Sequence, residues 1–311
     1  MPVAVIDIGS NSIKLLVAAR GRDGSLIELA RATEETRIGA GITASPPRLR
    51  ESAMESAIAS IKALMCRAAP FGPERIAAVA TSAVRDAENG EEFASRLFDA
   101  TTLELAILGG PEEARLIGRG IGCDPALRDT AAFYLFDLGG GSLEMLAFED
   151  ARVVALRSLQ LGCVRVTERC VLAPAEPLNE AVISGVQAYT REVIAQSGFL
   201  FELPPDSIAV VTGGTVTTFR AMQAQAQGLS LEEANPEIEV AAFGALAARV
   251  CAMPLAARQK IPGLPAARAD VFPAALLTLV ELAAAAGIAR YRHSFFNLRY
   301  GLARELLDAA Q

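Results

Sequence analysis

Two stretches of the chain share one pattern of apolar and polar positions. Residues 3–17 read VAVIDIGSNSIKLLV and residues 133–147 read FYLFDLGGGSLEMLA. With Asp7 set over Asp137, Gly9 falls on Gly139, Ser12 on Ser142, Ile13 on Leu143, Leu15 on Met145 and Leu16 on Leu146, an offset of 130 residues throughout. In each copy a β-branched or aromatic run ends in Asp, a turn of small residues follows, and a second apolar run begins, which predicts a hairpin. Between the copies the periodicity predicts a helix over 48–68, a strand over 76–80, a helix over 90–100 and a strand over 103–108. Pro111 then suits the first turn of a helix, and Glu112 and Glu113 suit the positive end of its dipole. After the second copy come a predicted strand over 153–159, a helix over about 177–196, and a strand over 208–211 that runs into Gly213-Gly214-Thr215 and a further helix. The remainder reads as helix, the last over 297–309. Mixed strands and helices in two repeated units predict an α/β fold of two related lobes with a cleft between them.

Composition sets bounds on this picture. The 311 residues suffice for two domains that each bury a core, and 52% apolar with 21% charged residues excludes a disordered or collagen-like chain. A net charge of −7 without a dense run of Lys or Arg excludes general phosphate neutralisation, so neither nucleic acid nor membrane is an expected partner. Lys occurs only at 14, 62 and 260; the Arg bias, beside abundant Ala, reads as genome composition rather than as a phosphate signature. Five cysteines without C-x-x-C spacing, and a first segment lacking a basic leader, predict reduced thiols in a cytoplasmic protein. Residues 271–289 approach the length of a membrane span, but they are mostly Ala and carry Glu281, which predicts a helix buried between domains.

Several chemistries fail on inventory. His293 is the only histidine, which excludes a multi-histidine metal site, and it reads as structural because no partner motif surrounds it. The run Gly140-Gly141-Ser142-Leu143-Glu144 departs from a nucleophile elbow at its last position, and neither a P-loop nor a dinucleotide-binding glycine motif occurs. The chemistry is left to carboxylates, hydroxyls, backbone amides and arginines.

A strand ending in Asp before a Gly/Ser turn has a physical use. Small residues let consecutive N–H groups converge on a phosphate, and the Asp can hold a hydrated Mg²⁺ that bridges phosphate oxygens. Two such turns facing each other would clamp one phosphate chain, and Gly213-Gly214-Thr215 at a helix N-terminus would add a third anion site.

The pattern resembles the superfamily of acetate kinase, sugar kinases, heat-shock proteins and actin, and within it the exopolyphosphatase and guanosine pentaphosphate phosphohydrolase (Ppx/GppA) family. The resemblance rests on IDIGSNSIKLLV at 6–17, TSAVRDAENGEEF at 81–93, GGPEEARLIGRG at 109–120, FDLGGGSLEM at 136–145, SLQLGCVRVTE at 158–168, VVTGGTVTTFRAM at 210–222, IPGLPAARADVFPAA at 261–275 and NLRYGLARELL at 297–307. It implies two actin-like, ribonuclease H-like lobes: residues 1–123, completed by the C-terminal helix at 297–311, and residues 124–296. It further implies Glu113 as the residue that activates or orients the attacking water, Glu144 and Arg85 as catalytic partners with Arg85 near the phosphate chain, and Asp7, Asp137 and Glu144 as carboxylates for the metal. Ser10, Asn11, Ser12, Gly139, Gly140, Gly141, Ser142, Gly213, Gly214 and Thr215 match its phosphate loops. Mg²⁺ is the implied cofactor, with Mn²⁺ as its substitute and K⁺ as an activator.

The implied activity is release of terminal phosphate from inorganic polyphosphate. The rival readings are guanosine pentaphosphate or nucleoside triphosphate hydrolysis at the same site, a nucleotide-dependent binding or regulatory protein without turnover, and a kinase, which the EEAR glutamate disfavours. The additional helical domain of longer members is not expected here, which leaves long-polymer binding and a homodimer open. NLRYG stands where the family often has GLREG, so no function carries over to Arg299.

Overall fold

Both copies of the repeated pattern fold as hairpins. In the computed structural model, which describes residues 1–309, the chain divides into two units, Met1–Asp129 together with the chain from Phe296 onward, and Thr130–Phe295. The sequence-based limits lay at 123/124 and 296/297; residues 310 and 311 of the expected closing segment lie outside the described residues.

The first unit opens with β1 (Val3–Ile8), β2 (Ile13–Arg20) and β3 (Leu26–Glu34), then α1 (Glu51–Ala68), β4 (Arg75–Ala80), α2 (Ser82–Asp86), α3 (Gly90–Thr101), β5 (Leu105–Ile107) and α4 (Gly110–Ile121). Its sheet order is β3-β2-β1-β4-β5, with the β1–β2 and β2–β3 pairs antiparallel and the β1–β4 and β4–β5 pairs parallel. The second unit holds β6 (Ala132–Leu138), β7 (Leu143–Glu149), β8 (Arg152–Leu159), α5 (Cys163–Cys170), α6 (Glu180–Gln196), β9 (Ile208–Thr212), α7 (Gly214–Gln227), β10 (Glu237–Glu239), α8 (Val240–Cys251), α9 (Leu255–Arg258), α10 (Phe272–Ala286) and β11 (Arg290–His293). The chain then returns to the first unit as α11 (Leu298–Asp308). The second sheet, β10-β11-β9-β6-β7-β8, repeats the first read from its other end, with β10 added. The fold is therefore α/β, in two related lobes, as the repeat implied.

Alternation places the core. Val3, Val5, Leu16 and Ala18 lie on one face of the first hairpin and pack with Tyr300, Ala303, Leu306 and Leu307 of α11. Helix α1 also packs on β1 and β2, through a stripe of Met54, Ala57, Ile61 and Leu64 at helical spacing. Helix α10 is apolar almost all round because it is an internal helix of the second unit, packed on α5, α6 and α8. Its Glu281 is buried and paired with Arg191 at 2.8 Å. No helix among the described residues is long and apolar enough to cross a membrane.

Strands β3, β10 and β11 are additions to the expected elements. β11 reads RYRH, and only Tyr291 and His293 are buried in it, so its alternation is too short to stand out from the charges around it.

Candidate active site

The two turns have the same geometry. In the first hairpin Ile8 pairs with Ile13 and the Gly9 N–H closes the turn on the Ser12 carbonyl at 3.1 Å. In the second, Leu138 pairs with Leu143 and the Gly139 N–H closes on the Ser142 carbonyl at 3.0 Å. Ser10, Asn11 and Ser12 are buried, as is Ser142, while Gly139, Gly140 and Gly141 are more accessible or equally enclosed along the turn.

In both turns the carbonyl oxygens are tied back into the protein. The segment after β3 donates from Gly39 N–H to the Ser10 carbonyl and from Arg37 N–H to the Asn11 carbonyl, each at 2.8 Å. In the second unit the start of α5 donates from Cys163 N–H to the Gly139 carbonyl at 3.0 Å and from Val164 N–H to the Gly140 carbonyl at 2.8 Å. Arg165 Nε completes the set on the Gly141 carbonyl at 2.9 Å. Close approach makes this possible: a Cβ on Gly162 would lie 2.3 Å from the Gly141 backbone. With those lone pairs engaged, the backbone of either turn offers N–H donors to a ligand, which suits an anion. The Asn11 side chain is engaged differently, its Nδ2 donating to Glu35 at 2.8 Å.

The two hairpins differ in what faces the strand-end aspartate. Asp7 is paired with Lys14, whereas Asp137 is paired with Glu144. Burial raises the Asp7 pKa above the ordinary carboxylate value, against the opposing charges of Lys14 and Arg299. Glu144 is 1% exposed and accepts a 2.8 Å hydrogen bond from Ser158 Oγ, its register partner on β8. A charged residue in a strand ordinarily marks a solvated face; Glu144 is buried in the sheet instead.

These carboxylates fit a divalent cation held in part by its substrate. No group of three His, Cys, Asp or Glu residues forms a ready metal cage among the described residues. Mg²⁺ commonly takes only one or two carboxylates and completes its shell with water and phosphate oxygens. Directly opposed like charges destabilise an antiparallel pair, so Asp137 and Glu144 form a pair that a cation would relieve.

Glu113 is positioned from two sides. Gly110 and Pro111 open α4, and the Glu113 N–H closes its first turn on the Gly109 carbonyl at 2.9 Å. The adjacent Glu112 is 47% exposed and pairs with Arg115, while the Glu113 side chain is 7% exposed and accepts from Arg85 Nη1 at 2.8 Å. Helix α2 joins this glutamate to the first turn: its Ser82 bonds Ser10, Oγ to Oγ, at 3.1 Å, and its Arg85 lies one helical turn further on. Arg85 also donates to the Leu108 carbonyl at 3.0 Å and lies 3.4 Å from Asp86.

The third loop lies against the second turn. Gly213 has φ of 109°, a conformation that side-chain-bearing residues rarely adopt, and a Cβ there would sit 2.5 Å from the Leu138 carbonyl and 3.1 Å from Asp137 Oδ1. Gly214 and buried Thr215 open α7. The Arg268 guanidinium fills the space a Gly214 side chain would need, its Nη1 2.0 Å from that ideal Cβ position. Thus Asp7, residues 10–12, Arg85 and Glu113 gather in the first unit, and Asp137, residues 139–142, Glu144 and residues 213–215 in the second. Sequence reasoning passed over Arg165 and Arg268, both buried against loop backbone; the signal available was their place inside matching segments.

Comparison with known proteins places the chain in a family. The model of the Ppx/GppA phosphatase family matches residues 17–310. Exopolyphosphatase 2 of Mycobacterium tuberculosis is 32% identical over 297 residues, covering 90% of this chain and 89% of that protein. The crystal structure of an exopolyphosphatase from Cytophaga hutchinsonii shares the fold, with a TM-score of 0.89 at 22% identity over 99% of this chain and 98% of that one. The Aquifex aeolicus member of the Ppx/GppA family gives 0.79 at 25% identity over 100% and 99%. With the family model covering nearly the whole chain and a relative of this identity and coverage, the protein belongs to the Ppx/GppA phosphatase family.

Proposed function

We propose that the protein is an exopolyphosphatase, which hydrolyses the terminal phosphoanhydride of inorganic polyphosphate and releases phosphate. The observation that carries this reading is the pair of turns whose carbonyls are tied back, each beside a strand-end aspartate. The similarity to Exopolyphosphatase 2 supports the choice of substrate.

Phosphoryl transfer asks for positioning and charge neutralisation more than for covalent chemistry. Backbone N–H groups of residues 10–12 and 140–142 hold phosphate oxygens, and the start of α7 adds Gly214 and Thr215. Asp7 in the first unit, and Asp137 with Glu144 in the second, are the residues that would hold Mg²⁺, or Mn²⁺ in its place, and the ion would supply positive charge to phosphate oxygens when bound. Arg268 adds a fixed cation at the third loop. Glu113 accepts a hydrogen bond from water and aligns its oxygen with the terminal phosphorus. As that P–O bond forms, the bridging P–O bond breaks; the shortened chain leaves with the bridging oxygen, and a proton passes from water towards Glu113. Arg85 fixes the Glu113 carboxylate during this step.

The test is a phosphate-release assay on polyphosphate of several lengths, guanosine pentaphosphate and ATP, with and without Mg²⁺ and K⁺. The largest kcat/KM is expected on polyphosphate. A larger value on guanosine pentaphosphate would reassign the substrate, and release from none of them would leave a binding protein.

A further inference from the structure

His293, the only histidine of the chain, ends β11 with its side chain buried. Its ring packs edge-on against Phe295, 4.8 Å between centroids. Arg220 of α7 is 2% exposed and places Nη1 2.8 Å from His293 Nδ1, while its Nη2 donates to the carbonyls of Leu231 at 3.0 Å and of Ala234. A guanidinium has donors only, so Nδ1 accepts and carries no proton. The ring proton is therefore on Nε2, which lies 3.3 Å from Thr217 Oγ1. That oxygen then accepts from the ring and donates its own proton to the Gly213 carbonyl at 2.9 Å. Each polarity is forced by the one before it. The series ends on the glycine at which an added Cβ would crowd Asp137 Oδ1 and the Leu138 carbonyl.

We propose that His293 is a positioning residue for the third loop: the relay Arg220 to His293 to Thr217 to Gly213, run through the Nε2–H tautomer, fixes Gly213 against Asp137. The proposal rests on hydrolysis as the function of the site, and it adds a residue that touches no phosphate. One feature of the relay points beyond packing: the oxygen at its end belongs to the residue with the left-handed φ, where a small displacement moves the loop relative to the carboxylate.

The tautomer can be read without any activity. In the full-length protein, ¹⁵N spectra of the single imidazole should report a protonated Nε2 and an unprotonated Nδ1. A protonated Nδ1 overturns the relay even if the hydrolase reading stands. Thr217→Val removes the relay at nearly constant volume and avoids the risk that His293→Phe strips buried Arg220 Nη1 of its His293 acceptor and leaves the unit unfolded. With polyphosphate and Mg²⁺, Thr217→Val should lower kcat about tenfold with KM changed less than about threefold, and Thr217→Ser should restore kcat. Unchanged kcat in Thr217→Val, or equal losses in the Val and Ser variants, overturns the positioning role. Absence of turnover in the wild-type protein would instead count against the proposed function and leave the tautomer measurement intact.

Discussion

Arg85 donates through Nη1 to Oε2 of Glu113 at 2.8 Å, and through the same nitrogen to the Leu108 carbonyl at 3.0 Å. The family resemblance implies an arginine near the phosphate chain; in this structure the guanidinium is engaged by Glu113, and Asp86 lies beside it. Its geometry makes it the residue that holds the glutamate in place. Because Ser82 on the same short helix bonds Ser10, a shift of α2 would disturb the first turn and Glu113 together.

Replacing Glu113 tests the site most directly. Glu113→Gln keeps the shape of the side chain and should lower kcat by about 10²–10⁴ with KM nearly unchanged, the range for losing a general base. Near-wild-type turnover would remove Glu113 from the reaction. Arg85→Met should also lower kcat and, by removing a charged donor to the buried carboxylate, destabilise the fold by about 1–3 kcal/mol in urea titrations. In the double variant the stability losses should not add, because Gln carries no charge for Arg85 to balance.

The Asp137–Glu144 pair makes a second prediction, about metal. The pair opposes two carboxylates on adjacent strands, with Ser158 donating to Glu144. Mg²⁺ should raise the thermal midpoint of the wild-type protein, by an amount equivalent to about 2.7 kcal/mol at a hundredfold excess over Kd. Glu144→Gln should raise the midpoint without metal and shrink the Mg²⁺ increment. An equal increment in both proteins would take Glu144 out of the metal site. Chelation by EDTA should abolish phosphate release, with Mg²⁺ or Mn²⁺ restoring it.

What was legible in the sequence follows from how local each signal is. The hairpins were readable because strand, turn and strand lie within fifteen residues and occur twice, as with Asp7–Lys14 and Asp137–Glu144. Pro111 and the two glutamates announced the start of α4, but only the fold separates exposed Glu112 from buried Glu113. The partners of His293 lie 73 and 76 residues away, so no window along the chain could find them. Arg165 and Arg268 escaped notice because an arginine on loop backbone has no periodic signature, and an Arg-rich composition masks it.

The support of Glu113 extends to the far end of its helix. A Cβ on Gly120 of α4 would lie 1.9 Å from the Asn297 carbonyl, and one on Gly301 of α11 would lie 1.9 Å from the Leu116 carbonyl. The two helices therefore cross with backbone against backbone, flanked by ion pairs from Arg115 to Glu305 and from Arg119 to Asp308, the latter at 2.7 Å. Gly120→Ala should force them apart, costing about 1–3 kcal/mol as overpacking does, and should lower kcat by moving α4. Unchanged unfolding midpoints would contradict the close crossing.

Cys251 gives the protein a predictable weakness in alkali. It ends α8 at 1% exposure, and burial pushes its thiol up to about 11 from an ordinary value of 9.0, partly offset by the charge of Arg258. A group with its pKa raised by folding contributes its full stability below the unfolded pKa and loses it as pH rises through the folded one. Stability should therefore fall between about pH 9 and pH 11, by about 2–3 kcal/mol for a shift of this size. Buried Tyr291 is raised as well and weakens the fold in the same direction at higher pH, so the readout is the difference between wild type and Cys251→Ala. Urea midpoints of the variant should decline less steeply than those of the wild type across that window. Parallel curves would mean that the thiol ionises no later in the folded chain than in the unfolded one. At pH 8 the native Cys251 should resist alkylation while exposed Cys66 reacts.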